Sequence, residues 1–173
     1  MTLDPVIVMI ARLAIGWLFL FGALHKLRDI RDFRGVLAAY RLLPEGALAA
    51  VAWCVTVAEV IVGIGALAQQ PIAYGAAALM LTGYGVAMLV NLIRGRRFID
   101  CGCGGDAQPI SWGLIARNVA LIGVCGVALL APGARAFGWI DLVSIGFGVL
   151  VCGLIYGAVN QLLAAQARLE EWV

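Results

Sequence analysis

The sequence predicts an all-α, polytopic membrane helical bundle: four core transmembrane helices, a fifth C-terminal helix and an interfacial amphipathic helix. Three observations predict it. Hydrophobic residues make up 64% of the 173-residue chain and charged residues 13%, against about 45–50% and about 25% in soluble domains. The mean hydropathy is +1.02. The apolar stretches run to about 20 residues each, the length a helix needs to cross a bilayer. Net charge is +2, too small to point to nucleic acid, so the expected surroundings are membrane lipid. The whole chain, 1–173, reads as a single integral membrane domain.

The first span covers about 5–24. It lacks a basic start and a small-residue cleavage site, so it reads as a retained helix rather than a signal peptide. Arg12 lies about two turns inside it, and His25 and Lys26 close it. Residues 26–43 are too charged to span. Leu27, Ile30, Phe33, Leu37 and Tyr40 recur every three or four positions and share one helical face. Lys26, Arg28, Asp29, Arg31, Asp32 and Arg34 fall mainly on the rest. That pattern is an amphipathic helix lying in the interface; a solvated connector is the alternative. Pro44 ends it.

The second span, about 46–68, carries Glu59, and Gln69-Gln70-Pro71 makes a tight turn. The third, about 72–93, has Asn91 near its end. A polar loop follows over 94–109. The fourth, about 110–131, holds Arg117-Asn118 two turns inside, and Pro132-Gly133 breaks it. The fifth, about 137–163, includes the small-residue spacing Gly153…Gly157. In lipid, small residues let helices approach closely, so the 22 glycines read mainly as packing positions.

Ionisable groups inside a bilayer are expensive and normally face a partner in the bundle interior. Three are present: Arg12, Glu59 and Arg117. Adjacent spans run antiparallel. Counted from one membrane face at about 1.5 Å per residue, Arg12 and Glu59 lie at similar depth, so the sequence predicts a buried Arg12–Glu59 pair acting as a structural brace. Arg117 belongs to the opposite face, with Asn118 beside it. Asn91, His25 and Lys26 approach that face from the third and first spans. Together with Cys101 and Cys103 they are expected to line a cavity between helices, a usual place for a ligand. Asp100, Asp106 or an anionic ligand would pair with Arg117; snorkelling to the interface is its other reading.

The chemistry of the chain is concentrated in Asp100-Cys101-Gly102-Cys103-Gly104-Gly105. A structural zinc site wants four Cys or His ligands. Here there are two neighbouring thiols and His25 is the only histidine, so no metal is expected. A disulfide across one residue closes a very small ring and contributes little loop-closure stabilisation. Such a bridge departs from relaxed geometry and reduces easily, and strained bridges are the catalytic ones. Gly102, Gly104 and Gly105 allow left-handed backbone, and Arg96, Arg97 and Lys26 would favour a thiolate. Redox is therefore the best use of the spacing. Cys54, Cys125 and Cys152 lie within spans and read as small buried apolar residues.

The chain resembles the MauE family of methylamine-utilisation proteins, within the broader DoxX-like membrane group. The resemblance rests on Gly22-Ala23-Leu24-His25-Lys26-Leu27, Tyr40-Arg41-Leu42-Leu43-Pro44, Glu59, Asp100-Cys101-Gly102-Cys103-Gly104, Ile110-Ser111-Trp112 and Arg117-Asn118. It covers roughly residues 5 to 131. Family members often carry an aromatic after the second thiol, where this chain has Gly104-Gly105. The resemblance implies help in maturing the disulfide-rich small subunit of methylamine dehydrogenase, alongside a thioredoxin-like partner. The architecture is also similar to vitamin K epoxide reductase-like proteins, in which a four-helix bundle holds a quinone beside a cysteine pair and a half-helix lies in the interface. By that analogy Cys101 and Cys103 are the pair and 26–43 the half-helix.

Two functions follow as expectations. The first is a quinone-linked thiol–disulfide oxidoreductase of the bacterial cytoplasmic (inner) membrane. Cys101 and Cys103 would exchange with a dithiol on a thioredoxin-like or substrate protein, and a quinone would sit near Arg117, Asn91, His25 and Asn118. The second is non-enzymatic: an assembly factor or small-solute carrier. Charge opposes the first. Lys26, Arg28, Arg31, Arg34, Arg41, Arg94, Arg96, Arg97 and Arg168 lie on the cysteine side, and only Arg135 on the other. The positive-inside rule then places the cysteines in the cytoplasm, where thiols stay reduced. Basic residues on an interfacial helix also bind lipid head groups, which weakens the rule here.

Overall fold

The computed structural model describes residues 3–102 and 108–170. Cys103, Gly104, Gly105 and Asp106 lie outside the described residues. The elements are α1 (Pro5–Arg28), α2 (Ile30–Tyr40), a 3-10 turn (Glu45–Ala47), α3 (Leu48–Leu67), α4 (Pro71–Ile93), α5 (Trp112–Leu129) and α6 (Trp139–Glu170). Among the described residues five helices are long and apolar enough to cross a membrane, and the chain is a multi-pass membrane bundle. Proline at the first position of α1 and of α4 lacks an N–H that would be unbonded there anyway.

The core is a ring of four helices: α1 packs on α3, α3 on α4, α4 on α5, and α5 back on α1. Ile15, Phe19, Val62, Ala66, Tyr74, Ala77, Leu81 and Cys125 fill its middle. A second cluster, Tyr40, Met88, Leu92, Ile99, Ile110 and Leu114, closes the end that carries the cysteine loop. α6 lies outside the ring, mainly against α1.

Lipid tails are as apolar as leucine, so van der Waals fit holds such helices together. Glycine supplies the fit at the α1–α3 seam. A Cβ on Gly63 would lie 2.7 Å from the Leu20 side chain and 3.1 Å from its backbone nitrogen, and one on Gly16 would lie 2.6 Å from Leu67. Among the described residues Gly153 and Gly157 have nothing within 4 Å of a Cβ, so their spacing packs against none of them. Gly63→Ala is therefore expected to destabilise the purified protein by about 1–3 kcal/mol, the usual cost of overpacking. Gly157→Ala should leave the thermal midpoint in detergent unchanged.

α1 continues four residues beyond the expected end of the first span, through His25 and Lys26 to Arg28. Asp29 then caps α2, its carboxylate accepting from the Arg31 and Asp32 amides at 3.1 and 2.9 Å. Phe33 and Tyr40 are the buried members of the apolar face of α2; Leu27 belongs to α1 and is exposed.

The expected Arg12–Glu59 pair does not form. Arg12 Nε donates to the Ala128 carbonyl at 2.9 Å and Nη2 to Leu130 at 3.3 Å, so it caps the C-terminal end of α5. Nη1 reaches Gln69 Oε1 at 3.3 Å. Helix stagger explains the difference. Gly16 packs on Leu67, the last residue of α3, so the first turns of α1 overhang the end of α3. Arg12 meets the turn at Gln69, about 15 Å along the axis from Glu59. Of the three cysteines expected to be buried in spans, only Cys125 is; Cys54 and Cys152 are exposed on the outside of the bundle.

Candidate functional site

The loop after α4 folds back on itself. Asp100 and Pro109 form an antiparallel bridge. The Cys101 amide donates to the Gln108 carbonyl at 2.9 Å and Ile110 to Ile99 at 2.9 Å. Asp100 Oδ1 accepts from the Gly102 amide at 3.0 Å and the Gln108 amide at 3.4 Å. Gly102 takes φ +68°, and a Cβ there would sit 3.0 Å from Val36 and 3.4 Å from the Phe33 ring. Glycine is thus required twice over, by its left-handed backbone and by the close approach of α2. The Tyr40 hydroxyl donates to the Cys101 carbonyl at 3.4 Å. The loop is seated on the underside of α2.

Below it is a cavity of about 260 Å³. Its walls are mostly apolar: Leu18, Phe19, Val36, Leu37, Val55, Leu81 and Leu121 among them. Cys101 and Gly102 form part of its roof, and Leu42 and Leu43, both exposed, stand at its edge. Two polar groups interrupt the apolar lining.

The first is the pair Lys26–Glu59. Side chains lean toward the N-terminus of their own helix, so Lys26, near the end of α1, reaches down to Glu59 in mid-α3. Nζ donates to Oε1 at 2.9 Å, with both side chains at most 5% exposed. The Tyr84 hydroxyl donates to the same oxygen at 2.8 Å. Glu59 Oε2 is inaccessible to solvent and has no hydrogen-bond partner among the described residues. The Lys26 ammonium also lies over the rings of Phe33, at 5.1 Å, and Tyr84, at 6.0 Å. A Cβ on Gly22 would lie 3.7 Å from Lys26 Nζ and 3.8 Å from Glu59 Oε1, so the bare glycine leaves room beside the pair.

The second is Arg117 with Asn118, both buried. Arg117 Nη1 donates to Asn160 Oδ1 at 2.7 Å, Nη2 to Asn118 Oδ1 at 3.4 Å, and the guanidinium lies 5.5 Å over the Tyr156 ring. Burial rather than snorkelling is its state. Asn118 Nδ2 donates to the Leu81 carbonyl at 3.5 Å. Gln108 joins this group to the thiol: its amide donates to the Asn160 carbonyl at 3.1 Å, and Cys101 Sγ donates to its Oε1 at 4.0 Å.

Of the residues expected at the site, Cys101, Arg117 and Asn118 line the cavity. Cys103 is outside the described residues. Asn91 turns away: it donates to Ala87 at 3.1 Å and accepts from Arg96 at 3.0 Å. Arg96 in turn donates to the carbonyls of Ala39 and Tyr40, capping α2, so its charge is spent there. His25 lines a separate small polar recess with Asp29, Asp32 and Asp100. Lys26, expected on the same face, also lines the cavity. Tyr84 and Tyr156, which line it too, and Asn160, which holds Arg117, are the residues that sequence reasoning left out of the site. Asn160, an amide within an apolar span, was a readable signal.

The family model for methylamine utilisation protein MauE matches residues 4–131. A MauE of Paracoccus versutus is 41% identical over 170 residues, covering 95% of this chain and 91% of the relative. One of Paracoccus denitrificans is 34% identical over 173 residues, covering 96% and 88%. One of Methylorubrum extorquens is 36% identical over 162 residues, covering 90% and 87%. No solved structure matches the chain. The matched region contains every core helix, the cysteine loop and both polar groups of the cavity, and at this identity over nearly the whole length the chain belongs to the MauE family.

Proposed function

We propose that the chain serves methylamine utilisation as a quinone-linked thiol–disulfide oxidoreductase of the bacterial inner membrane, acting on a dithiol of an exported protein such as the methylamine dehydrogenase small subunit. The observation that carries the reading is the position of Cys101, which roofs an apolar cavity within the bundle while its loop stands at the bundle's end. A partner dithiol attacks the Cys101–Cys103 disulfide and leaves oxidised, the two cysteines taking up its two electrons and two protons by exchange. The resulting dithiol passes two electrons and two protons to a quinone in the cavity, giving a quinol and restoring the disulfide. Arg117 and Asn118, buried at the cavity wall, supply the polar contacts on the cysteine side. The analogy with vitamin K epoxide reductase-like proteins supports this reading at the level of architecture only.

The second reading is a non-enzymatic assembly factor. The charge distribution favours it: Arg28, Arg31, Arg34, Arg41, Arg94 and Arg97 are all exposed at the cysteine end, and the positive-inside rule sets that end in the reducing cytoplasm. Labelling separates the two. In a variant with Cys54, Cys125 and Cys152 replaced by alanine, a membrane-impermeant maleimide applied to intact cells should label Cys101 and Cys103 only after prior reduction. Labelling only in lysed cells would sink the oxidase acting on an exported protein.

A further inference from the structure

Glu59 carries an imbalance that the fold does not resolve. Among the described residues Oε1 accepts two hydrogen bonds, from Lys26 and Tyr84, while Oε2 accepts none and is closed off from solvent. Glu59 is 3% exposed. A buried carboxylate oxygen without a donor costs free energy, more than a neutral group would. Lys26 is in a similar position. An ammonium has three N–H donors, and Glu59 Oε1 is its one hydrogen-bond acceptor among the described residues. Both side chains line the same apolar cavity. Nothing in the packing requires this arrangement: a buried pair usually stabilises less than hydrophobic residues of similar volume would.

The pair therefore offers an acceptor and donors side by side, at the edge of about 260 Å³ of space, with Gly22 leaving the neighbouring volume open. The complementary group is one that donates and accepts at the same atom, carried on an apolar body: an aromatic hydroxyl. A carboxylate or phosphate head would meet the Glu59 charge, and an ammonium would meet Lys26. Phe33 and Tyr84, already packed around the ammonium, give ring faces against which an aromatic head stacks. Phe33 also lies against the position of Gly102, so a head group at Lys26–Glu59 is one ring away from the cysteine loop.

We propose that Lys26, Glu59 and Tyr84 form a head-group site for a lipid-soluble hydroquinone, whose hydroxyl donates to the Glu59 carboxylate and accepts from Lys26 Nζ. The choice of hydroquinone rests on the quinone-linked reading above, but the site itself uses neither thiol.

The test measures binding of decylubiquinol, kept reduced, to the full-length protein in nanodiscs by calorimetry. Lys26→Met together with Glu59→Gln removes both charges and so leaves none buried alone. Gly22→Val keeps the pair and fills the space beside it. Each is expected to raise the Kd about tenfold or more, the scale of a lost hydrogen bond to a charged group. Cys101→Ser with Cys103→Ser should bind as the parent does, even if thiol exchange turns out not to be the function. Equal affinity in the parent and the charge-free double variant would overturn the site, as would absence of saturable binding.

Discussion

Lys26→Met alone will destabilise the protein by about 3–5 kcal/mol, because it leaves the Glu59 carboxylate buried without its cation. Both side chains are at most 5% exposed, and the cavity around them is largely apolar, so neither water nor a second cation takes over the contact. Tyr84 remains as a single donor. The added change Glu59→Gln will restore most of the loss, since the amide still accepts from Tyr84 and no charge stays behind. A double-mutant cycle on the thermal or denaturant midpoint measures this, and the coupling should be well above the roughly 0.3–0.5 kcal/mol expected of independent sites. Arg12→Met in the same assay should not couple to Glu59 at all, because its guanidinium serves the end of α5.

The second large effect is expected at Arg117. α6 stands outside the four-helix ring, and near the cysteine loop its ties include Arg117 to Asn160 at 2.7 Å, Arg117 over Tyr156, and Gln108 to the Asn160 carbonyl at 3.1 Å, besides the packing of Leu163 on Gly113. Arg117→Leu removes the first two of these: it deletes a charge-assisted hydrogen bond and the stacking on Tyr156, and leaves Asn160 Oδ1 without that donor, at a cost of about 1.5–3 kcal/mol. The far end of α6 keeps its seat, since Gly148 lies against Ile10 of α1. The expected result is therefore local. Hydrogen exchange should rise in the C-terminal half of α6 and in the loop at Cys101, while α1 and α3 stay protected. Arg117→Lys should recover little, because an ammonium lacks the planar fork that reaches Asn160 and Asn118 while stacking on Tyr156.

These two groups also show what the sequence could and could not reveal. The helices themselves were legible, because length and apolarity decide a membrane span almost alone. The turn at Gly102 was legible from its glycine, which does take a left-handed backbone. Arg117 and Asn118 were legible as interior groups, because a charge two turns inside a span has few other places to go. The partner of Glu59 was not. Depth counting assumes helix ends that lie flush, and the glycine seam at Gly16 and Gly63 offsets α1 from α3 by several turns. Lys26 looked like the polar end of a span because a lysine can point either outward or back along its helix, and sequence does not say which. Asn91 looked like a ligand, yet Arg96 five residues later takes it. Tyr84 and Tyr156 were invisible for a plainer reason: a tyrosine in an apolar run looks the same whether it fills a core or faces a cavity.

The charge asymmetry sharpens in the structure without changing direction. Lys26 and Arg96 drop out of the positive-inside count, one paired with Glu59 and the other capping α2. Among the residues whose exposure is described, six exposed arginines remain at the cysteine end, Arg31 and Arg34 on α2 itself, where lipid phosphates are natural partners.

The most direct test is a single-turnover measurement on the purified full-length chain in nanodiscs, in a background with Cys54, Cys125 and Cys152 replaced by alanine. The protein is reduced, freed of reductant and mixed with decylubiquinone in the absence of oxygen. Quinol formation is followed by absorbance and the state of Cys101 and Cys103 by mass spectrometry. The predicted result is about one quinol per chain, formed together with a Cys101–Cys103 disulfide, and none above background in the Cys101→Ser, Cys103→Ser variant. Thiols that stay reduced in the presence of excess quinone, or quinol formed equally by the serine variant, would contradict it.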